Sequence, residues 1–591
     1  MLRTRWTAFL LAGLASPALA QVEYAIDLTD PTHHEGKVRI DFPASDGATL
    51  DVKMPVWRTG RYQILPLPNG VRGFRAEDSA GRTLRWEKID NATWRIHGAR
   101  GAKVRVRYDL FANELGLRTR HIDDSHAYLN PSAVFLYADR FRKEEARVSL
   151  SLPSGWKSFS GMEQPRPNAF VAADWDVLTD SPIEAGPHQL RTFEADGRRY
   201  ELVIWGKGNH DGDRIAADLK KLVPTTQSIW KGYPYRRYLF IVHATDGASG
   251  ATEHLNSTVI QLPRYRFKPE DSYLRFLGTA SHELIHTWNV KAYRPAGLVP
   301  YDYQRANLTD LLWVAEGSTD YFDNHLLLRA GLMKPGQYLD NLADAIEANR
   351  RRPGRRLQSV AEASWDQWIA PSGMRAINAS VDIYSEGAIA SWALDIALLQ
   401  QTGGRVSYRD VHRLLHQRFD SGKRGFTAAD MKAILRELTG TSWDAWWGRH
   451  VDAPFAADFE ALLAPVGLRL EGGGERVADA GWAAEPSGGA MRLTTVLANG
   501  PAWQAGFESD DILVAIDGKK VDEARLAAML GEYKPGDTVE VSFFRRDELQ
   551  RAKLVLGTRA KTRPKVVPVA RPTAQQRALF ERWLLVPFPK V

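Results

Sequence analysis

"HELIHTWNVK", residues 282–291, places two histidines four positions apart with a glutamate directly after the first. Residues i and i+4 share one face of an α-helix, so His282 and His286 would present two imidazoles to one point. Zinc accepts two such nitrogens and needs at least one further protein ligand. Glu283 would lie beside them, within reach of a water held at that point. Taken alone, the motif predicts either a metal-binding helix or two histidines that face solvent or core.

A second stretch, "LWVAEGSTDYF" over residues 312–322, supplies a candidate third ligand in Glu316. The residues before Glu316 are apolar, and a carboxylate is costly to bury unless it is paired or bound to metal. Asp320 follows four positions later on the same helical face, where it can accept the second N–H of a ligating histidine and fix its tautomer. The alternative is that Glu316 caps the N-terminus of a helix or forms a salt bridge with a basic side chain.

Three stretches together resemble the glycyl aminopeptidase family of zinc peptidases. They are "HELIHTWNVKAYRP", "LWVAEGSTDYF" and "MPVWRTGRYQI" over residues 54–64, and the resemblance extends over nearly the whole mature chain. It implies a gluzincin with a thermolysin-like catalytic domain and a C-terminal PDZ domain. It also implies one zinc per chain, bound by His282, His286 and Glu316, with Glu283 as the general base that deprotonates the attacking water.

The stretch "IYSEGAIASWALDI", residues 383–396, resembles the Tyr-x-Lys-Gly segment of related zinc aminopeptidases. The resemblance implies that the Tyr384 hydroxyl stabilises the oxyanion formed during peptide hydrolysis. Gly387 is kept, but Glu386 stands where lysine is usual, which leaves the local charge open. The alternative for Tyr384 is an ordinary packed tyrosine.

A loop upstream of the histidines, "GATEHLNST" over residues 250–258, resembles the Gly-x-Met-Glu-Asn loop of related aminopeptidases. The resemblance implies that Glu253 pairs with the free N-terminus of the substrate and so fixes which peptide bond is cleaved. Thr252 replaces the methionine and His254 replaces the asparagine of that loop. The alternative is an exposed glutamate in a loop rich in small residues.

The pattern along the rest of the chain predicts an α+β multidomain protein. Alternating strand-like segments predict an antiparallel β-rich N-terminal domain, helical spacing dominates from about residue 270, and strands return after 465. The stretch "NGPAWQAGFESDDILVAIDGKKV", residues 499–521, resembles the centre of a PDZ domain. The predicted boundaries are 1–20 signal peptide, 21–185 N-terminal β-rich domain, 186–330 thermolysin-like catalytic domain, 331–465 helical domain, 466–560 PDZ domain and 561–591 loose C-terminal tail.

The first twenty residues predict export. Arg3 and Arg5 precede a short apolar run, and Ala18-Leu19-Ala20 forms a small-x-small cleavage site. No later segment is long and apolar enough to predict an integral membrane segment. We therefore expect a periplasmic or secreted protein. Its 591 residues contain no cysteine, so disulfides and cysteine-type zinc sites are excluded.

Composition and motifs leave three function classes. The net charge of +7 is small for 591 residues, and no basic module interleaved with aromatic residues indicates nucleic-acid binding. The first class is a zinc aminopeptidase acting on peptides with N-terminal glycine or alanine, a preference that only the resemblance implies. The others are a zinc endopeptidase on the same scaffold and a non-catalytic PDZ adaptor. The PDZ domain is expected to dock peptides by strand addition, with a structural lid or a substrate-docking surface as the alternative.

Overall fold

The computed structural model describes residues 21–116 and 119–589, so the predicted signal peptide over residues 1–20 lies outside the described residues. Two compact units make up the chain. The first contains the described residues up to Pro55, together with Leu67–Glu114 and Thr119–Pro187. The second contains Val56–Pro66, residues 115 and 116, and the chain from His188 onward, so that the predicted catalytic, helical and PDZ regions all belong to one unit.

The first unit is a β domain in which the long strands at the centre of the main sheet bury alternate residues, as the period-two pattern predicts. Short strands form a four-stranded and a three-stranded sheet beside a main sheet of seven strands. One pair in the main sheet is parallel, which corrects the expectation of a wholly antiparallel domain. A long connection allows this, because more than a hundred residues separate the two strands. In spatial order the main sheet contains Glu163–Arg166, Ala169–Ala172, Glu145–Ser151, Gln21–Asp27, Glu35–Phe42, Val104–Phe111 and Val71–Asp78.

The second unit begins with a mixed five-stranded sheet. Its three central strands are parallel, and two of them, Arg237–Ala244 and Ser257–Leu262, are almost wholly buried. Its two outer strands run antiparallel to their neighbours. A continuous apolar run such as "YLFIVHA" suits a strand that is covered on both faces. In spatial order the sheet contains Gln189–Ala195, Arg198–Trp205, Arg237–Ala244, Ser257–Leu262 and Gly250–Glu253.

The helix Glu270–His286, called the histidine helix below, follows this sheet. Glu270 and Asp271 lie in its first turn, where negative charge is favourable. Apolar residues anchor it in a core shared with the following helices. Those helices are Ser318–Arg329, preceded by the π-helical turn Trp313–Gly317, then Pro335–Arg350, Val360–Asp366, Ser385–Thr402, Tyr408–Arg418, Ala428–Thr439 and Asp444–His450. The short helix Gly373–Asn378 instead packs Met374 against the core of the PDZ region.

The PDZ region forms its own small core around a sheet that includes the predicted hairpin. Asp517 and Gly518 both have positive φ values, 48° and 71°, as a tight two-residue turn requires. The sheet contains Trp482–Ser487, Ala490–Val496, Ile512–Ile516, Lys519–Lys520, Thr538–Arg545 and Glu548–Val555, with helices Pro501–Gln504 and Glu523–Gly531.

The described part of the C-terminal segment, residues 561–589, contains a strand and a helix, which corrects the prediction of a loose tail over residues 561–591. Lys565–Pro568 pairs with the strand Leu468–Glu471, and Ala574–Leu584 forms a helix. Trp583 is fully buried, and its indole N–H donates to the Tyr321 hydroxyl at 2.6 Å. The proline and arginine content suggested disorder, but the apolar residues of "LFERWLL" recur at helical spacing and pack into the main core.

Among the helices of residues 21–116 and 119–589, none combines the length and the apolar character that a membrane span requires.

We predict that Trp583→Ala removes about 3–5 kcal/mol of packing stability and lowers the midpoint of thermal unfolding of the second unit. The matched control is Trp503→Ala, since that side chain is 47% exposed. Calorimetry of the two variants provides the measurement. Equal midpoints would contradict the docking of the C-terminal helix on the main core.

Candidate metal centre

The histidine helix directs two imidazoles at one point. Nε2 of His282 and Nε2 of His286 are 2.9 Å apart. Each ring uses its other nitrogen elsewhere: His286 Nδ1 donates to the Asn289 carbonyl at 2.8 Å, and His282 Nδ1 lies 2.9 Å from Asp320 Oδ1. When both rings are neutral, these contacts keep the proton on Nδ1, so both Nε2 atoms present lone pairs to one point where a cation can bind.

Glu316 completes a three-residue group. It is 3% exposed in the π-helical turn, and its Oε2 lies 3.3 Å from His286 Nε2 and 3.7 Å from His282 Nε2. Burial favours the neutral acid, but when His286 and His282 are protonated their positive charge and hydrogen bonds outweigh burial and hold the pKa of Glu316 well below its usual range. Two imidazoles and one carboxylate whose donor atoms lie within 4.8 Å of one another match the donor set that zinc accepts.

The π-helical turn is fixed by its neighbours. Asn289, just beyond the histidine helix, donates from Nδ2 to the carbonyls of Val314 and Ala315. A Cβ at Gly317 would lie 2.4 Å from the backbone of Gly387. The π-helical turn with Gly317 and the helix Ser385–Thr402 with Gly387 therefore approach each other as closely as glycine allows. This close approach explains why position 387 is a glycine.

Glu283 lies beside the two histidines. It is 6% exposed, and its Oε2 has no hydrogen-bond partner within the described part of the chain. Burial raises the pKa of Glu283 to about 7, with smaller opposing effects from the histidines. A carboxyl group with a pKa near neutrality can both accept and return a proton.

Tyr384 reaches the same place from the turn before the helix Ser385–Thr402. Its ring centroid is 6.3 Å from that of His282. Burial, followed by the charge of Glu316, raises its pKa well above the usual range, so the hydroxyl stays a donor. Asp382 holds the turn by accepting from the Tyr384 backbone N–H at 3.1 Å, and Arg352 pairs with Asp382 at 3.0 Å.

Glu386, which departs from the lysine of the related segment, does not add a free charge at this centre. Its Oε2 accepts from Asn349 Nδ2 at 2.8 Å, and burial raises its pKa to about 7.

A cleft of about 1000 Å³ opens beside this group and is lined by His282, Glu283, Asp320 and Tyr384 among others. It is large enough for a short peptide.

Comparison with known proteins assigns the family. Family models match residues 23–187 as the peptidase M61 N-terminal domain, residues 275–390 as M61 glycyl aminopeptidase and residues 478–556 as a PDZ domain. The chain belongs to the M61 glycyl aminopeptidase family. It is a zinc metallopeptidase with a PDZ domain, which excludes the non-catalytic adaptor.

Among solved structures, an aminopeptidase N family protein from Idiomarina loihiensis matches with a TM-score of 0.89 at 26% identity, over 94% of this chain and 100% of that chain. An M1 zinc metallopeptidase from Deinococcus radiodurans matches with a TM-score of 0.44 at 13% identity, over 71% of this chain and 91% of that chain. Yeast LTA4 hydrolase gives a TM-score of 0.44 at 12% identity, over 76% of this chain and 70% of that chain. No curated protein matched the sequence.

The M61 chain brings a further segment to the centre, which we call the strap (Val56–Pro66). The strap lies in the second unit although the sequence on either side of it belongs to the first. Tyr62 donates its hydroxyl to Glu316 Oε1 at 2.6 Å. Trp57 Nε1 donates to the Asp302 carbonyl at 2.6 Å, and Arg58 donates to Thr252 Oγ1 at 2.6 Å.

The strap also contacts Glu253. A Cβ at Gly60 would lie 2.4 Å from Glu253 Oε2, and Gly60 has a φ of 79°, so two independent constraints require glycine there. Glu253 is 4% exposed, which rules out the exposed-loop alternative. Its Oε1 lies 3.9 Å from the Nζ of Lys291, a buried lysine that the sequence analysis did not consider. An ammonium group of the chain therefore already lies near this carboxylate.

The sequence did not predict that the strap contacts the metal centre, because its motif indicated only a resemblance to the family. The available signal was a glycine followed two positions later by a tyrosine, in a short stretch bounded by Pro55 and Pro66.

We predict that Tyr62→Phe weakens zinc binding by about tenfold, because the hydroxyl that orients Glu316 is lost. Competition with a fluorescent chelator measures the zinc dissociation constant without reference to activity. Tyr265→Phe, at a tyrosine that is 69% exposed, is the matched control. An unchanged dissociation constant in Tyr62→Phe would show that the strap does not support the metal ligand.

Proposed function

We propose that this chain is an exported zinc aminopeptidase that releases small N-terminal residues, glycine or alanine, from peptides. The observation that carries the proposal is the pair of imidazole nitrogens 2.9 Å apart beside a buried carboxylate. Family membership supports the zinc peptidase chemistry, and the preference for small residues rests on the resemblance to glycyl aminopeptidases alone.

In this proposal His282, His286 and Glu316 hold one zinc ion per chain. Asp320 accepts from His282 and the Asn289 carbonyl accepts from His286, so both rings keep the tautomer that leaves Nε2 free. When bound, zinc would acidify a water molecule and polarise the scissile carbonyl.

Glu283 is the proposed proton carrier. Its unpartnered Oε2 takes a proton from the attacking water and then delivers that proton to the departing amine. Tyr384 is the proposed oxyanion donor, because its hydroxyl stays protonated and can donate to the carbonyl oxygen as that atom gains negative charge.

Glu253 is the proposed partner of the substrate ammonium, which would make the enzyme an exopeptidase. Lys291 favours a second candidate function, an endopeptidase, because its buried ammonium group can satisfy the Glu253 carboxylate without any substrate. The two functions differ in whether a free N-terminus is required.

Export and localisation are also part of the proposal. The signal-like residues 1–20 predict cleavage before Gln21. We therefore propose a periplasmic or secreted enzyme. We further propose that the PDZ domain docks peptides by strand addition along Trp482–Ser487, which lies at the edge of its sheet.

We predict that His286→Ala and Glu316→Gln lose bound zinc, whereas Glu283→Gln keeps about one zinc per chain and loses most peptidase activity. Glu283 moves protons in the proposal and does not bind the metal. Metal analysis of each purified variant, together with kcat, provides the measurement. Zinc retained at full level in both ligand variants would refute the assignment of the site.

We predict that Glu253→Ala lowers kcat/KM on free-amine glycyl or alanyl substrates by about ten- to a hundredfold, because a charge-assisted contact is lost. Cleavage of N-acetylated analogues, already poor in the wild type, should stay nearly unchanged.

Lys291→Met is the companion variant, since it removes the competing ammonium group and keeps a long side chain. It should lower KM for free-amine substrates if Glu253 pairs with their N-terminus. Equal losses on blocked and free substrates in Glu253→Ala would assign that residue a structural role. Efficient wild-type cleavage of internal bonds in blocked peptides would favour the endopeptidase.

A further inference from the structure

A second cleft of the catalytic unit is lined by arginine. It has a volume of about 890 Å³ and lies away from the metal centre. Part of its wall is the run "RRRPGRR", residues 350–356, which contributes to none of the contacts of the metal ligands. The opposite wall comes from the PDZ region and its flanking strands. Its seven arginines are Arg350, Arg351, Arg352, Arg355, Arg356, Arg476 and Arg559.

Acidic residues compensate only some of this charge. Three of the arginines have carboxylate partners: Arg350 pairs with Glu460 at 2.9 Å, Arg352 with Asp382 at 3.0 Å and Arg559 with Asp479 at 3.8 Å. Within the described residues, no carboxylate lies within 4.0 Å of the other four, which are Arg351, Arg355, Arg356 and Arg476. The cleft therefore carries excess positive charge.

Arg355 shows one effect of this excess positive charge. Its Nη1 donates to Asn349 Oδ1 at 2.9 Å, but its buried Nε has no hydrogen-bond partner among the described residues. Burial first, and then the neighbouring Arg356, lower the pKa of Arg355. A bound anion would relieve both the repulsion between guanidinium groups and the unsatisfied donor.

The arrangement of the cleft indicates the kind of anion. Five of the seven arginines come from the run 350–356, and Arg476 and Arg559 come from two other segments. So many separate guanidinium groups suit a chain of several negative charges better than one compact ion. The described lining contains no aromatic side chain, although sequence-tolerant binding of single-stranded nucleic acid relies on aromatic stacking. Guanidinium forks match carboxylate geometry well.

We propose that this arginine cleft binds an acidic segment of a polypeptide, with side-chain carboxylates paired to the guanidinium groups of Arg351, Arg355, Arg356 and Arg476. A cavity of this size holds only a few residues at a time, so the ligand is a short run rich in aspartate or glutamate. The site is separate from the proposed aminopeptidase function and does not depend on it.

Two substitutions test the cleft without disturbing the fold. Arg351 and Arg356 are exposed and make no ion pair within the described residues, so Arg351→Glu with Arg356→Glu reverses charge at little structural cost. The matched control is Lys519→Glu with Lys520→Glu, which changes the net charge equally at an exposed PDZ hairpin outside the cleft. Arg352 is not used because its partner Asp382 supports the Tyr384 turn.

The probe is octaglutamate labelled with fluorescein at its N-terminus, titrated with the full-length zinc-loaded protein in an anisotropy assay. Mass spectrometry checks that the probe stays intact. We expect binding that weakens with salt, a loss of affinity of roughly tenfold or more in the cleft variant, and a change of less than about twofold in the control.

Three outcomes would overturn the proposal. Equal losses in the two double variants would indicate a nonspecific response to net charge. Equal affinity for a labelled octaglutamine would show that carboxylates are not recognised. Binding of a ten-residue oligothymidylate in the absence of octaglutamate binding would make the cleft a phosphate site.

Discussion

Two imidazole nitrogens held 2.9 Å apart are the constraint on which the metal centre depends. Each ring is locked by a hydrogen bond from its other nitrogen, to Asp320 in one case and to the Asn289 carbonyl in the other. With Glu316 buried beside them, the arrangement gathers two imidazole nitrogens and one carboxylate, which is a donor set that zinc accepts. The surrounding helices hold this arrangement in place, and they approach most closely where Gly317 meets Gly387.

Segments far apart in the sequence converge on this centre. Tyr62 reaches Glu316 from the strap, and Gly60 leaves room for the Glu253 carboxylate. Tyr384 arrives on a turn held by Asp382. Asn378, the last residue of the helix Gly373–Asn378, donates to the Val496 carbonyl and accepts from the Ala498 N–H. Hydrogen bonds therefore join the PDZ region to the segment that leads to Tyr384.

Local patterns predicted much of this protein. The α+β multidomain architecture with its PDZ domain is confirmed. Helical spacing predicted that His282 and His286 share one face, and their Nε2 atoms lie 2.9 Å apart, because an i,i+4 pair is set by the geometry of one helix. The contacts of the strap and the Lys291–Glu253 pair could not be predicted from local patterns, because they join residues that are far apart in the sequence. The C-terminal helix was not predicted, because the high content of proline and arginine indicated a loose tail and outweighed the helical spacing of the apolar residues around Trp583.

The most direct test of the account is to locate the metal. Crystals of the zinc-loaded protein, measured on both sides of the zinc absorption edge, would give an anomalous difference map. The account predicts one strong peak per chain, bounded by Nε2 of His282, Nε2 of His286 and a Glu316 oxygen at about 2.0–2.2 Å. A peak at any other cluster of side chains, with none between these three residues, would contradict it.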